Sequence, residues 1–232
     1  MSRADEIRTR LSAVRERIDR AAAAAGRDPR DVGLVVVTKF FPAADVRILA
    51  DLGVTEVGEN RHQEAQAKAA ECSDLGLRWH FIGGLQSNKA AAVASYADVV
   101  ESVDRLKLVR GLDRGASERE AVVDVLLQVS LDPPDRHGRA GADPEDLSSL
   151  AAEVAAAGSL TLCGLMAVAP LGEDPATAFG RLAEIRADFV RDHPGATVLS
   201  AGMSGDLEQA VMAGATHVRV GSAVLGGRPQ IQ

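Results

Sequence analysis

Aromatic side chains are scarce in this sequence, at 3% of 232 residues, with one tryptophan (Trp79) and one tyrosine (Tyr96). Any core is therefore built from small aliphatic groups, and alanine, valine, leucine and glycine dominate the chain. That composition suits helices packed closely on a parallel sheet. Cysteine is nearly absent too. Cys72 and Cys163 lie far apart and form no CxxC, so they read as buried or free thiols of a cytosolic protein. The histidines His62, His80, His137, His193 and His217 show no HxxxH or Cys/His ligand spacing, so no structural metal is expected. Positive charge is not in surplus. The formal net charge is −7, and no basic patch is interleaved with aromatics, which argues against a nucleic-acid partner. No window approaches the roughly 18 apolar residues of a membrane span. The start, Met1-Ser2-Arg3-Ala4-Asp5-Glu6, lacks the apolar core of a signal peptide, so a cytoplasmic location is expected.

What is present is a regular beat. Ile7, Leu11, Val14 and Ile18 recur at helical spacing, and Gly26 with Pro29 ends that segment. An N-terminal helix within residues 1–26 follows. Strand-like runs then appear at 33–39, 54–58, 78–83, 98–103, 122–130, 160–168, 196–201 and 216–221. Helix-like runs separate them, near 43–52, 60–71, 87–95, 104–116, 143–157, 175–191 and 204–213. Strict βα alternation implies a parallel sheet. Eight units in this length predict an α/β fold, a (β/α)8 TIM barrel. A doubly wound open sheet is the alternative. It usually has fewer strands and a glycine-rich first turn, whereas the turn here is Lys39-Phe40-Phe41-Pro42. No Pro/Gly/Ser-rich linker divides the chain, so residues 1–232 are expected to form one domain. Too few residues follow the eighth strand for a full helix, so the N-terminal helix is expected to pack on the barrel, closing its outer ring or its floor. The irregular stretch 131–141 follows the fifth strand and would hang over the functional face.

In such a barrel, function collects at the C-terminal ends of the strands. The first of these ends is the most informative. Leu34-Val35-Val36-Val37 reads as a fully buried strand, and Lys39 stands at its end. Desolvation there would lower a lysine pKa from about 10.4 and free the amine to attack a carbonyl. Alternatively, the side chain snorkels into water. After the seventh strand comes Ser200-Ala201-Gly202-Met203-Ser204-Gly205. Gly202 and Gly205 allow close backbone approach, and Ser204 is placed to cap a helix over 206–213, making an anion site. An ordinary serine cap with glycine turns is the competing reading. Gly221 and Ser222, after the eighth strand, would add amides, since these two loops are the usual phosphate site of the fold. Alternation puts His217, Arg219 and Gly221 on one strand face. Arg219 either serves that site or pairs with Glu59 or Glu101 across the barrel mouth. His80 reads as a core histidine or a wall of the site, Glu59 as a helix cap, and Met166 as packing.

These features together look like a pyridoxal 5′-phosphate site. The sequence resembles the YggS/PROSC-type pyridoxal-phosphate homeostasis proteins, which are similar to the N-terminal barrel domain of alanine racemase (fold-type III). The matching stretches span nearly the whole chain: Val37-Thr38-Lys39, Gly58-Glu59-Asn60, Trp79-His80-Phe81-Ile82-Gly83, Leu85-Gln86-Ser87-Asn88-Lys89, Gly164-Leu165-Met166, Gly202-Met203-Ser204-Gly205-Asp206 and Val218-Arg219-Val220-Gly221-Ser222. The resemblance implies that Lys39 forms the internal Schiff base and that Ser204, Gly221 and Ser222 hold the phosphate. It implies that Arg219 faces the pyridine nitrogen and that Asn60 and Met203 line the pocket. Thr38, Gly84, Ala201 and Arg139 depart from the family's usual serine, proline, methionine and lysine. The last departure puts in doubt a second lysine's role in the loop after strand five.

An arginine only donates hydrogen bonds, so a nitrogen it contacts stays unprotonated, and the cofactor becomes a weaker electron sink. Racemisation also needs an acid/base on each substrate face. The racemases take the second from a tyrosine of another domain, and Tyr96 precedes strand four, at the wrong end of the barrel. The expected function is storage, buffering or delivery of pyridoxal 5′-phosphate, with apoenzymes that need it as partners. A low-activity amino-acid racemase or lyase is the alternative, and a barrel for another phosphorylated metabolite a third. A monomer, or at most a weak dimer, is expected.

Overall fold

In the computed structural model, residues 2–132 and 140–227 are described. The valine-rich runs form the strands: β1 (Gly33–Val37), β2 (Glu56–Glu59), β3 (Arg78–Phe81), β4 (Val99–Val103), β5 (Val123–Gln128), β6 (Leu160–Met166), β7 (Val198–Ser200) and β8 (His217–Val220). Each pairs in parallel with the next, and β8 pairs with β1, with Val35 opposite Arg219, so the sheet closes into a barrel. The open-sheet alternative is excluded. A Cβ on Gly58 would meet Val35 and Val37, which puts those valines inside the barrel. Val36, Val57, Val218 and Val220 face outward into one apolar cluster with Ile7, Leu11 and Leu207. A second cluster covers the far side, where Val123, Val125 and Leu127 meet Leu108, Leu112, Leu150 and Leu182.

The outer helices are α1 (Arg3–Ala24), α2 (Ala43–Asp51), α3 (His62–Glu71), α4 (Ala90–Ala94), α5 (Leu106–Glu118), α6 (Leu147–Ala156), α7 (Pro175–Asp192), α8 (Leu207–Met212) and α9 (Ser222–Leu225). The N-terminal helix starts with a reciprocal cap between Ser2 and Asp5 and buries the four residues whose spacing predicts it. It closes the outer ring, packing on α8 and α9, because α9 is a single turn. Arg17 fixes the contact. It donates to both Glu208 oxygens at 2.7 and 2.8 Å and to the Ser204 carbonyl at 3.1 Å.

Element boundaries differ from the sequence pattern at the strand ends that carry polar loops. β1 stops at Val37, two residues before Lys39, because Phe40 turns the chain with φ of 70°. The last-but-one helix starts at Leu207 rather than 204, because the Asp206 carboxylate accepts the Met203 N–H at 2.6 Å and holds 203–206 as a turn. Arg139 and His137 lie outside the described residues, as does most of the 131–141 stretch. Among the described residues, no helix is long and apolar enough to cross a membrane, and no group of three or more His, Cys, Asp or Glu side chains is placed to hold a metal ion.

Candidate functional site

A cavity of about 360 Å³ opens at the C-terminal ends of β1, β7 and β8, within the size range of small-molecule pockets. Lys39, Met203, Ser204, Arg219, Gly221 and Ser222 line it. All six were singled out from sequence, and barrel closure brings them from three loops to one place. Phe40, Phe41, Ile82 and Gly205 complete much of the wall. Phe40 carries a signal in structure only. It is one of two non-glycine residues with positive φ among those described, a strained conformation that persists only where its surroundings hold it.

Lys39 is half-buried, so the full desolvation expected of a lysine on a buried strand is not reached. Ser204 and Ser222 converge: the Ser222 hydroxyl donates to Ser204 Oγ at 3.3 Å, and the Ala223 N–H approaches the same oxygen at 3.4 Å. Two hydroxyls and the start of α9 thus meet on one wall. This corrects the expected role of Ser204 as a helix cap. Asp206 occupies the N-cap position of α8, and Ser204 turns toward α9 instead.

Arg219 forms the inner wall and is 4% exposed. Its guanidinium donates to Ser200 Oγ at 2.7 Å and to the Ala167 carbonyl at 2.9 Å, and lies 3.6 Å from Glu101. Of the two carboxylates considered from sequence, Glu101 is the partner. Burial lowers the Arg219 pKa, while the charges of Glu101 and Asp206 raise it. An arginine remains a pure donor under those conditions. Burial would raise the Glu101 pKa, but the His80 hydrogen bond at 2.8 Å, the Arg219 charge and Ser200 outweigh it and hold the carboxyl near 2. His80 is a buried histidine beneath the cavity rather than part of its wall.

Gly202 and Asn60 do not line the cavity. Gly202 has φ of +92°, and a Cβ there would fall 2.6 Å from Ala210 Cβ, so its glycine serves the packing of α8 on the barrel. Asn60 directly follows β2, with its Oδ1 buried and without a hydrogen-bond partner. Gly221 is tight for another reason: a Cβ would press on the Val37 carbonyl at 3.2 Å, where β8 closes against β1. Tyr96 also stays out of the cavity. Its ring stacks on His62 at 5.9 Å, outside the barrel.

Behind Lys39 lies a buried ionic group that the sequence did not reveal. Glu59 does not cap α3. Its Oε1 accepts from Thr38 Oγ1 at 2.7 Å and from Lys68 Nζ at 2.5 Å. Burial pushes the Glu59 pKa up, and Lys68 and Thr38 pull it down. The only sequence signal was the i,i+4 spacing of Glu64 and Lys68 on one face of α3.

The residues present suit a phosphorylated pyridine aldehyde. The cavity offers an amine, two converging hydroxyls beside a helix start, and a buried donor-only arginine, suited to the aldehyde, the phosphate and the ring nitrogen of such a molecule.

Comparison with known proteins agrees with the fold. The family model described as alanine racemase, N-terminal domain, matches residues 9–229. A pyridoxal phosphate homeostasis protein of Pseudomonas aeruginosa is 44% identical over 221 residues, covering 94% of each chain. The protein of the same name from Mycobacterium leprae is 41% identical, covering 97% of this chain and 93% of that one. Among solved structures, PipY of Synechococcus elongatus with PLP bound superposes with a TM-score of 0.82 at 37% identity, covering 95% of this chain and all of that one. With a closed barrel, the cavity at its mouth and relatives matched over nearly their full length, this chain belongs to the pyridoxal phosphate homeostasis proteins of the alanine racemase N-terminal domain family.

Proposed function

We propose that this protein binds pyridoxal 5′-phosphate at Lys39 and serves its homeostasis by storing, buffering or delivering it to apoenzymes. The observation that carries this reading is the meeting of Lys39, the Ser204–Ser222 pair and Arg219 around one cavity. When bound, the group supplies an aldehyde that condenses with an amine, losing its oxygen as water, and a pyridine ring that withdraws electrons. Lys39 Nζ is the amine in this reading and must be unprotonated to attack. Lys39 is half-buried rather than enclosed, which favours reversible rather than permanent attachment. Ser204 and Ser222 donate hydroxyl hydrogens to the phosphate, with the first amides of α9 beside them. Arg219 donates at the pyridine nitrogen and holds no proton it can give up, so it keeps that nitrogen unprotonated. That weakens the ring's electron withdrawal and disfavours turnover of amino acids.

The test is an absorption spectrum of the protein loaded with pyridoxal phosphate, followed by borohydride and peptide mapping. The wild type should carry a fixed adduct on Lys39, and Lys39→Ala should carry none. An adduct that survives the substitution on another lysine, such as Lys89, would overturn the assignment.

A further inference from the structure

We propose that Lys68 and Glu64 of α3 are positioning residues that clamp the peptide groups on both sides of Lys39. This rests on Lys39 being the attachment point. The Lys68 ammonium donates to the Thr38 carbonyl at 2.9 Å, so it holds the peptide entering Lys39. The Glu64 carboxylate accepts the Phe40 N–H at 2.6 Å, so it holds the peptide leaving Lys39. The two clamps are joined, since Lys68 Nζ also lies 3.2 Å from Glu64 Oε1 and 2.5 Å from Glu59 Oε1. An ammonium has three hydrogens, and three acceptors surround this one. Glu59 in turn accepts from the Thr38 hydroxyl at 2.7 Å, so Thr38 is held through its side chain as well as its backbone.

The arrangement answers a specific difficulty. Lys39 lies two residues past the end of β1, in a turn that the Phe41 N–H closes on the Thr38 carbonyl at 3.0 Å. The next residue, Phe40, adopts φ of 70°, which a residue with a side chain leaves readily unless restrained. Glu64 supplies that restraint at the N–H of Phe40, and Arg61, just before α3, lies over its ring at 4.7 Å from the centroid. None of Lys68, Glu59 and Glu64 lines the cavity. The contacts by which they reach Lys39 here run through the backbone that carries it. Lys68 and Glu59 are 6% and 1% exposed, so this ion pair is desolvated, and its geometry is well defined rather than averaged by water.

The experiment compares two ligands. Pyridoxal 5′-phosphate needs both the phosphate site and a correctly aimed Lys39, whereas pyridoxine 5′-phosphate has no aldehyde and needs only the former. Glu64→Ala should slow formation of the borohydride-fixed Lys39 adduct by about 10- to 100-fold, the usual penalty for a misplaced reacting group. Its affinity for pyridoxine phosphate should be unchanged. Glu64→Gln keeps an acceptor for the Phe40 N–H and should restore most of the rate. The double variant Glu59→Gln, Lys68→Met, which leaves no unpaired buried charge, should slow the adduct likewise. If that variant fails to fold, Glu64→Ala, altering a partly exposed side chain, decides alone. Wild-type adduct rates in Glu64→Ala, or parallel losses for both ligands, would overturn the positioning role while leaving the function intact. Absence of any Lys39 adduct in the wild type would overturn the proposed function, and this inference with it.

Discussion

Arg219 and Glu101 face each other inside the barrel at 3.6 Å, and Ser200 joins them: its Oγ accepts from Arg219 Nη1 at 2.7 Å and donates to Glu101 Oε2 at 2.6 Å. The arginine at the inner wall of the cavity is thus anchored from below by a carboxylate that is itself 0% exposed. His80 completes the anchor on the other Glu101 oxygen.

That anchor makes stability depend on acid in a defined window. The Glu101 carboxyl is held down from its ordinary 4.5 to about 2 in the fold. A depressed carboxyl contributes stability above its unfolded pKa and loses it as pH falls through the folded value. The contribution, roughly 3 kcal/mol from a shift of this size, should fade between about pH 4.5 and 2. Glu101→Gln should be less stable at pH 7 by about 3–5 kcal/mol, because Arg219 then lacks its counter-charge. Its stability should also fall less steeply across the acid window. Urea unfolding at a series of pH values measures both, and parallel slopes for the two proteins would contradict the account.

Two glycine-to-alanine substitutions should have opposite signs. At Gly202, φ is +92° and the new Cβ would sit 2.6 Å from Ala210 Cβ, so Gly202→Ala combines backbone strain with a clash against α8. A loss of about 2–4 kcal/mol is expected. Gly180 lies within α7 with no atom within 4 Å of its would-be Cβ and no positive φ. Gly180→Ala should stabilise the protein by about 0.5–1 kcal/mol. Denaturant midpoints of the two variants suffice as the test.

These contrasts show what could be read from sequence. The alternation of apolar strands with helices made the eight-stranded barrel legible, because buried parallel strands leave continuous runs such as Leu34–Val37. That Lys39, Ser204, Arg219 and Ser222 gather around one cavity was legible because barrel function gathers at strand ends, where these polar residues interrupt apolar patterns. The roles that the resemblance implies for them stand as part of the proposal. The role of Gly202 was not legible, since sequence does not say whether a glycine faces a ligand or a helix. Nor was the turn of Ser204 toward α9, which depends on Asp206 taking the cap position. The clamp of Lys68 and Glu64 on the Lys39 backbone was hidden because it joins a side chain to main-chain atoms of another element, and residue type carries little signal of that.

The serine pair should discriminate phosphate. Charge-assisted hydrogen bonds contribute roughly 1.5–3 kcal/mol each, so Ser204→Ala should weaken pyridoxal phosphate binding by about 10-fold or more. Pyridoxal, which lacks the phosphate, should be affected little. Because the two hydroxyls touch at 3.3 Å, the double variant with Ser222→Ala should lose less than the sum of the single losses. Equal losses for pyridoxal and its phosphate would remove these serines from the phosphate site. Isothermal titration with both ligands distinguishes the outcomes.

The loaded protein should give up its cofactor more readily than it turns over amino acids. Three features of the cavity lead to this. Arg219 is a buried donor held by Ser200, and in the proposed binding mode it cannot protonate the pyridine nitrogen, which would leave carbanion stabilisation by the ring weak. The sole tyrosine, Tyr96, is stacked on His62 outside the barrel and does not line the cavity, so it offers no acid/base opposite Lys39. General acid/base assistance typically contributes about 10²–10⁴-fold, so racemisation without it should be slower by that factor. Lys39 is half-buried and its cavity neighbour Met203 is 40% exposed, so a cofactor attached at Lys39 as proposed would stay open to water and acceptor amines. Incubating the loaded protein with an apoenzyme that needs pyridoxal phosphate should restore that enzyme's activity, while L-amino acids should be converted only slowly. Rapid formation of D-amino acids, at rates ordinary for a racemase, would overturn the carrier reading in favour of an enzyme.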